Sequence, residues 1–348
     1  MRLIAGPREA LLPEGHALFG QCHAATLVAL PSGDLLAAFF AGEREGAGDT
    51  AIWLSMRRNG AWLAPRRLLA ERGLAHWNPV LHAEDQRVWL FYKVGPDVHH
   101  WITRVATSTD GGTSWSAPQA LVPADTIPRG PVKNKLLVLG DGTWLAPASI
   151  EGEAHWDAFV DRSNDRGASW ERAVVPLAHA PSGSTRLKDD VWSGLAGQVL
   201  WESDPARTFA WDGVIQPSLW ESVPNNVHML LRSTRGRIYR SDSNDGGRSW
   251  APAYPTILPN NNSGLDLVRL HDGMLVLACN PVGGNWARRT PLSLLSSTDN
   301  GESWTIQLDL EDADGEFSYP AIIMAPNGRL RVAYTADRQN IIHREIAA

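Results

Sequence analysis

The chain has 348 residues, 43% hydrophobic and 20% charged, with a formal net charge of −6, proportions that suit a globular protein. The negative balance and the lack of a dense Lys/Arg run argue against nucleic acid as a partner, and no apolar stretch reaches the roughly 18 residues of a membrane span. The two cysteines, Cys22 and Cys279, lie too far apart to suggest a disulfide framework and show no metal-ligand spacing, so neither cofactor nor metal is expected.

The N-terminal stretch MRLIAGPREALLPEG lacks an apolar core long enough for a signal peptide. A reduced, cytoplasmic protein is the expectation, and a chain trimmed of a leader would read the same. From there a turn followed by an apolar run recurs: PSGDLLAAF (31–39), GDGTWLAPA (140–148), HDGMLVLAC (271–279) and PNGRLRVAY (326–334). Each combines an Asp/Ser/Asn-Gly turn with a short buried strand. VWLFY (88–92) and Met229–Arg232 fill comparable slots, and amphipathic helices are scarce.

A second signal, Ser-x-Asp-x-Gly-x-x-Trp, occurs four times: STDGGTSW (108–115), SNDRGASW (163–170), SNDGGRSW (243–250) and STDNGESW (297–304). The Asp can accept backbone N–H groups, the Gly can take positive φ, and the Trp can bury a large face, so each copy reads as a stapled hairpin turn. A degraded copy, MRRNGAW, ends at Trp62, 53 residues before Trp115. The box Asp residues 110, 165, 245 and 299 are spaced by 55, 80 and 54, a period that suits propeller blades. The long step exceeds the first by 80 − 55 = 25 residues, which places an inserted loop within Ala178–Asp212. Each unit reads as a four-stranded antiparallel meander. The expectation is one all-β domain over 1–348: a six-bladed β-propeller with box hairpins, its closing blade combining N-terminal residues with the C-terminal segment. Five or seven blades are the alternatives.

The boxes resemble the Asp-box, or BNR, repeat of sialidase-like β-propellers, over roughly residues 20–345. In that family the boxes lie on the outer rim, away from the active site. The chemistry is therefore sought where the innermost strands converge. The family carries three arginines that clamp a substrate carboxylate, an acid/base Asp, and a Tyr nucleophile paired with a Glu. At the first arginine this chain has His23, in the segment 23–27. The acid/base position matches Asp49, in the loop Gly42–Thr50, where Glu43 and Glu45 could raise its pKa as such a group requires. Arg232 and Arg289 match the second and third arginines, with Arg288 as fallback for the latter. A guanidinium fork suits a carboxylate because two parallel charge-assisted bonds hold both oxygens.

Tyr319, in GEFSYPA (315–321), matches the catalytic Tyr, and Gln216 stands where the family has its Glu. A Gln can orient the phenol but cannot take its proton; Glu221 and Glu316 are candidates to substitute. Each of these residues also has a plainer reading, as a hydrogen-bonded His, a solvated acidic loop, a rim Arg or a core Tyr. Asn78, Lys93, Lys133, Asn134, Asn262 and Asp266 stand at entrances of inner strands, where such groups can face the mouth and bind sugar hydroxyls or a carboxylate, or serve as turn residues. The resemblance implies a sialidase-like glycoside hydrolase that removes a terminal acidic sugar, with an acidic glycan or oligosaccharide as partner. A uronate-specific lyase and a non-catalytic glycan-binding propeller are the alternatives.

Overall fold

The computed structural model describes residues 3–180 and 210–347, so the insertion expected within 178–212 falls almost wholly outside the described residues. Among the described residues every helix or strand assigned is a strand. The short strands β1 (Ile4–Ala5) and β2 (Glu9–Ala10) begin the chain. One sheet holds β3 (Gln21–Ala29), β4 (Leu35–Gly42), β5 (Ala51–Arg58) and β6 (Ala61–Trp62), with β7 (Arg66–Leu69) also on β5. The next holds β8 (Ala75–Glu84), β9 (Arg87–Gly95), β10 (Ile102–Ser108) and β11 (Gln119–Ala120).

The largest sheet consists of two antiparallel halves. The first is β12 (Leu137–Val138), β13 (Trp144–Glu151), β14 (His155–Ser163) and β15 (Glu171–Val174). The second is β16 (Asp212–Val223), β17 (Asn226–Ser233), β18 (Arg237–Ser243) and β19 (Tyr254–Pro259). Among the described residues the strand pairing that joins them is a parallel one, of His155 with Asp212 and Trp156 with Gly213. A fourth sheet holds β20 (Asp266–Arg269), β21 (Leu275–Cys279), β22 (Leu292–Ser297) and β23 (Thr305–Glu311). The fifth holds β24 (Phe317–Met324), β25 (Leu330–Ala336) and β26 (Asn340–Ala347), and both β1 and β2 pair with β26. The expected union of N-terminal and C-terminal residues in one sheet is therefore present.

Both repeated signals have a local physical cause. In the turns after four of the first strands the same two hydrogen bonds recur: Leu30 N to Asp34 O and Gly33 N to Leu30 O, Leu139 to Thr143 and Gly142 to Leu139, Leu270 to Met274 and Gly273 to Leu270, Ala325 to Arg329 and Gly328 to Ala325, all 2.8–3.0 Å. Gly33 has φ 85° with open space where a Cβ would stand, so backbone conformation rather than crowding favours glycine there. The boxes join third strands to fourth strands. In the Ser243–Trp250 copy the Ser243 hydroxyl accepts Gly247 N–H at 2.9 Å, while Asp245 accepts Ser249 N–H at 3.0 Å and the Ser249 hydroxyl at 2.5 Å. The other three copies repeat these bonds.

Second strands are the most deeply buried, as their apolar sequences demand: every residue of β4 and of β21 is buried. Sheets pack on their neighbours in chain order. Leu36 and Phe40 meet Leu81 and Tyr92; Val80 and Phe91 meet Leu136 and Trp144; Leu145 and Val160 meet Met229 and Leu231. Leu230 meets Leu267 and Leu277, and Val276 meets Ile322 and Val332. Ala333 and Ile341 then meet Leu27 and Phe39, so the last sheet packs on the first and the packing runs full circle. Burial of each large apolar side chain contributes roughly 1.5–3 kcal/mol, which favours this circular packing.

The junction of the two halves of the largest sheet depends on Gly213. Its φ is 151°, and a Cβ there would sit 1.9 Å from the Trp156 carbonyl oxygen. Gly213→Ala is expected to lower the thermal midpoint measurably, since backbone strain alone costs about 1–3 kcal/mol and the clash adds to it. Gly33→Ala, strained in φ but unobstructed, is expected to lower it less. Thermal denaturation of the two variants beside the parent chain measures the difference.

Candidate active site

The first strands β3, β8, β16, β20 and β24 abut one another around the middle of the molecule. In or just before each first strand, one non-glycine residue adopts left-handed backbone: Ala24 (φ 56°), Asn78 (φ 43°), Lys133 (φ 63°), Gln216 (φ 55°), Asn262 (φ 58°) and Tyr319 (φ 52°). In four cases the strand register slips at that point, between His23 and Thr26, Trp77 and Val80, Ile215 and Ser218, and Ser318 and Ala321. A bulge of this kind breaks the alternation of side chains and re-aims one of them. Proline follows the left-handed residue three times, as Pro79, Pro217 and Pro320, which removes an N–H that the interrupted ladder would leave unpaired.

Backbone groups released by the bulges are recovered by polar struts. Lys133 donates to Leu265 O at 2.8 Å and Pro320 O at 2.5 Å, and Asn134 donates to Gln216 O at 2.8 Å and Pro217 O at 3.0 Å. Asp266 accepts the Ser218 hydroxyl at 2.7 Å, Ile322 N–H at 2.9 Å and Lys135 Nζ at 2.8 Å. Lys93 bonds the Thr103 hydroxyl and the Arg129 carbonyl. Burial pushes the ammonium groups of Lys93 and Lys133 down to about 7. Lys93, Lys133, Asn134 and Asp266 were expected to face the mouth. Instead they are buried and hold strands together, because the bulged backbone needs their donors and acceptors.

Above these struts lies a hollow whose space for the centres of water-sized spheres is ≈ 30 Å³. Arg232, Arg289, Tyr319, Gln216, Asn78 and Glu45 line it, so six of the expected residues meet there from five sheets. Arg232, near the end of β17, donates from Nε to Asn262 Oδ1 at 2.7 Å and from Nη1 to Gln216 Oε1 at 3.2 Å and to the Tyr319 hydroxyl. Its guanidinium lies 5.4 Å from the Trp156 ring centre and 5.5 Å from those of Trp286 and Tyr319. Asn262 thus serves the site by orienting Arg232.

Arg289 donates from Nη1 to Glu316 at 2.5 Å, and its buried Nε has no partner among the described residues. A third guanidinium, which sequence reasoning missed, comes from Arg338 in the turn between β25 and β26. It bonds Glu316 at 3.0 Å and Glu45 at 2.5 Å. Burial pushes the Glu316 carboxyl up, but the charges and hydrogen bonds of Arg338 and Arg289 outweigh it and bring it to about 2. Glu316 therefore holds two arginines and has no hydrogen bond to Tyr319. His23 sits under Tyr319, ring centres 4.2 Å apart, with Nδ1 2.9 Å from the Thr335 hydroxyl. Burial and the charges of Arg338, Arg289, Arg232 and Lys133 hold its imidazole well below the ordinary range, so it is neutral near pH 7. The loss of an arginine at His23 therefore does not reduce the pocket to two guanidinium groups: Arg338, whose carbonyl accepts Cys22 N–H at 2.7 Å, supplies the third.

Asp49 does not join the cluster. It is exposed, and its carboxylate closes the loop on itself by accepting Glu43 N–H at 2.9 Å. Glu43 is exposed too and, like Asp49, is absent from the lining. Glu221 accepts Gly140 N–H and Asn225 N–H at a turn, and Arg288 is exposed. The acidic group that sequence reasoning overlooked is Glu151, the last residue of β13. It lines the hollow, and burial pushes its carboxyl up to about 7 against the pull of Arg232 and the Ser149 hydroxyl. Its place at a second-strand end, like that of Arg232 near the end of β17, was the available signal. Trp77, Trp101, Trp156 and Trp286 complete the walls, and the indole N–H groups of the first three have no acceptor among the described residues.

The profile of the BNR repeat-like domain family matches residues 33–332. Among solved structures, a Hadza microbial sialidase is similar with TM-score 0.71 and 15% identity, covering 97% of this chain and 67% of that one. A protein of unknown function from Dyadobacter fermentans is similar with TM-score 0.70 and 14% identity, covering 99% and 98%. A Trypanosoma rangeli sialidase in complex with sialic acid is similar with TM-score 0.67 and 13% identity, covering 99% of this chain and 58% of that one. Identities this low speak for the fold alone. No curated protein matches the sequence.

Glu316 pairs with two of the arginines that line the hollow, Arg289 and Arg338. Its folded carboxyl titrates at about 2, below the roughly 4.3 of an unfolded Glu. Its stabilisation is therefore complete above that unfolded value and is lost as pH falls through about 2. Glu316→Gln is expected to destabilise the chain by about 3–5 kcal/mol at neutral pH, because buried Arg289 loses its carboxylate and Arg338 loses one of its two. The deficit against the parent chain should shrink under acid, as thermal melts across pH would show.

Proposed function

We propose, from the premise that the chain belongs to the BNR repeat-like domain family, that its hollow binds a terminal carboxylate-bearing sugar of a glycan and releases it, as a sialidase-like glycoside hydrolase. The eight-stranded sheet is read as two blades, which makes a six-bladed propeller with the hollow at its axis.

One observation carries this reading. Arg232 is 2% exposed, yet its hydrogen-bond partners are the neutral groups of Asn262, Gln216 and Tyr319, and it has no carboxylate partner among the described residues. A buried charge without a counter-charge is costly, so the site is built for an anion. Arg289 and Arg338 are already offset by Glu316 and Glu45, which leaves an excess of one positive charge while Glu151 is protonated. One sugar carboxylate matches that excess. Tryptophan faces suit the C–H faces of a sugar ring. Tyr319 stands beside Arg232 as nucleophile or charge stabiliser, and Gln216, at the position where the resembling family has a Glu, accepts from the same Arg232.

A uronate lyase is the second reading. What favours it is that no carboxylate hydrogen-bonds Tyr319 among the described residues, a group that β-elimination does not require.

The test is to incubate the protein with sialosides and with uronide-containing glycans and to measure released sugar. Turnover by the parent chain is expected, with Arg232→Ala lowering kcat/KM about 30- to 3,000-fold, the range for removing one partner of a buried charge pair. Tyr319→Phe is expected to lower kcat more than KM. An unsaturated product absorbing in the ultraviolet identifies the lyase; binding without turnover identifies a glycan-binding propeller; full turnover by Tyr319→Phe removes that residue from the mechanism.

A further inference from the structure

We infer that Glu151, rather than Asp49, donates the proton to the leaving-group oxygen in the reaction proposed above. The inference rests on that hydrolytic reading and assigns a residue within it.

The carboxyl groups near the hollow differ in what they touch. Glu45 is bonded to Arg338, and Glu316 is bonded to Arg338 and Arg289. A carboxylate locked to guanidinium groups is ionised and has no proton to give. Asp49 is exposed, is not among the residues lining the hollow, and accepts a backbone N–H of its own loop. Glu151 alone of these lines the hollow without a hydrogen bond to a cation. Among the described residues its carboxyl receives one bond, from the Ser149 hydroxyl to Oε1 at 3.3 Å, and Oε2 is left for a ligand.

Its position is fixed by its backbone. Glu151 pairs with Trp156 across the β13–β14 ladder, and its carbonyl accepts His99 Nδ1–H at 2.5 Å. Trp156 is also one of the aromatic walls against Arg232, so the carboxyl and the proposed carboxylate anchor share a support. Four groups from four elements bear on its charge. Arg232 of β17 and Lys93 of β9 favour the ionised form, as does the Ser149 hydroxyl of β13, while Glu45 of the β4–β5 loop opposes it. Burial exceeds all of these and leaves the carboxyl at about 7, protonated in half the molecules near neutrality, which is what a general acid needs.

The proton accounting closes with this one group. As the bond between the anomeric carbon and the bridging oxygen breaks, the electron pair stays on that oxygen, which takes the Glu151 proton. Water then adds at the anomeric carbon and gives its proton to the Glu151 carboxylate, which restores the acid. The net change is hydrolysis, with no further reactant.

Glu151→Gln tests this with two glycosides of the same acidic sugar, one methyl and one 4-nitrophenyl. A general acid contributes about 100- to 10,000-fold. Methyl glycoside turnover should therefore fall by that factor, while the 4-nitrophenyl glycoside, whose leaving group needs no proton, should fall by less than about tenfold. KM should stay near the parent value, and the decline of parent activity as pH rises through about 7 should vanish. An equal loss on both substrates, or no loss on either, overturns the assignment while the hydrolase reading stands. A parent chain that binds the sugars but releases none overturns both. Should Glu151→Gln fail to fold, Ser149→Ala removes the hydroxyl that favours the ionised form, so the alkaline limb should move to higher pH. A limb that stays in place overturns the assignment.

Discussion

The structure depends on one backbone constraint: six chain positions at the centre hold a non-glycine residue at positive φ. Such a conformation costs of order 1–3 kcal/mol each and persists only where surroundings over-determine it. Here the surroundings are the struts. Lys133, Asn134 and Asp266 take up carbonyl and amide groups from neighbouring first strands, so the strain of one bulge is held by the sheet beside it. Strain and polar groups that would weaken an isolated sheet thus become the means by which separate sheets are held in one arrangement. Where the left-handed residue is Asn78, Gln216 or Tyr319, it lines the hollow; where it is Lys133, it holds the hollow's floor.

The charges above follow from this geometry. Three guanidinium groups within one hollow would repel one another, and two carboxylates, Glu316 and Glu45, bring the excess down to one. Buried pairs of this kind add little net stability, because desolvation offsets most of the Coulombic gain. Their effect is on specificity: the paired arginines are fixed in place, and Arg232 keeps its charge among neutral oxygens and aromatic faces. The same burial that makes an unpaired guanidinium costly makes an unpaired carboxyl hold its proton. Arg232 and Glu151 are therefore two results of one low-dielectric environment, a guanidinium without a carboxylate partner among the described residues and a carboxyl whose pKa is raised to about 7.

Asp49 and Glu151 show where pattern and packing part. Asp49 matched a family position in the right loop, yet its carboxylate is consumed by a backbone N–H six residues earlier, a contact that position in a motif does not reveal. Glu151 matched nothing, because an acidic residue at the end of LAPASIE reads as a strand terminus meeting solvent. Burial by Trp156 and the loop carrying His99 reverses that reading.

Much of the architecture was legible along the chain because its causes are local. The Ser, Asp and Gly of each box bond to one another within a few residues, and the Gly turns before apolar strands close on themselves, so spacing alone revealed an all-β chain of repeated meanders. Arg232, Arg289, Gln216 and Tyr319 were legible as candidates because they stand where the resembling sialidase-like family carries two of its arginines, its Glu and its Tyr. Arg338 was not: an Arg in a hairpin turn is ordinarily solvated, and only the fold sets it 2% exposed between Glu45 and Glu316, residues about 293 and 22 positions away. Which charge is neutralised, which is left over and which carboxyl keeps a proton are sums over groups from different sheets. A sequence specifies those groups one at a time, but their electrostatic energies exist only once the sheets have packed on one another.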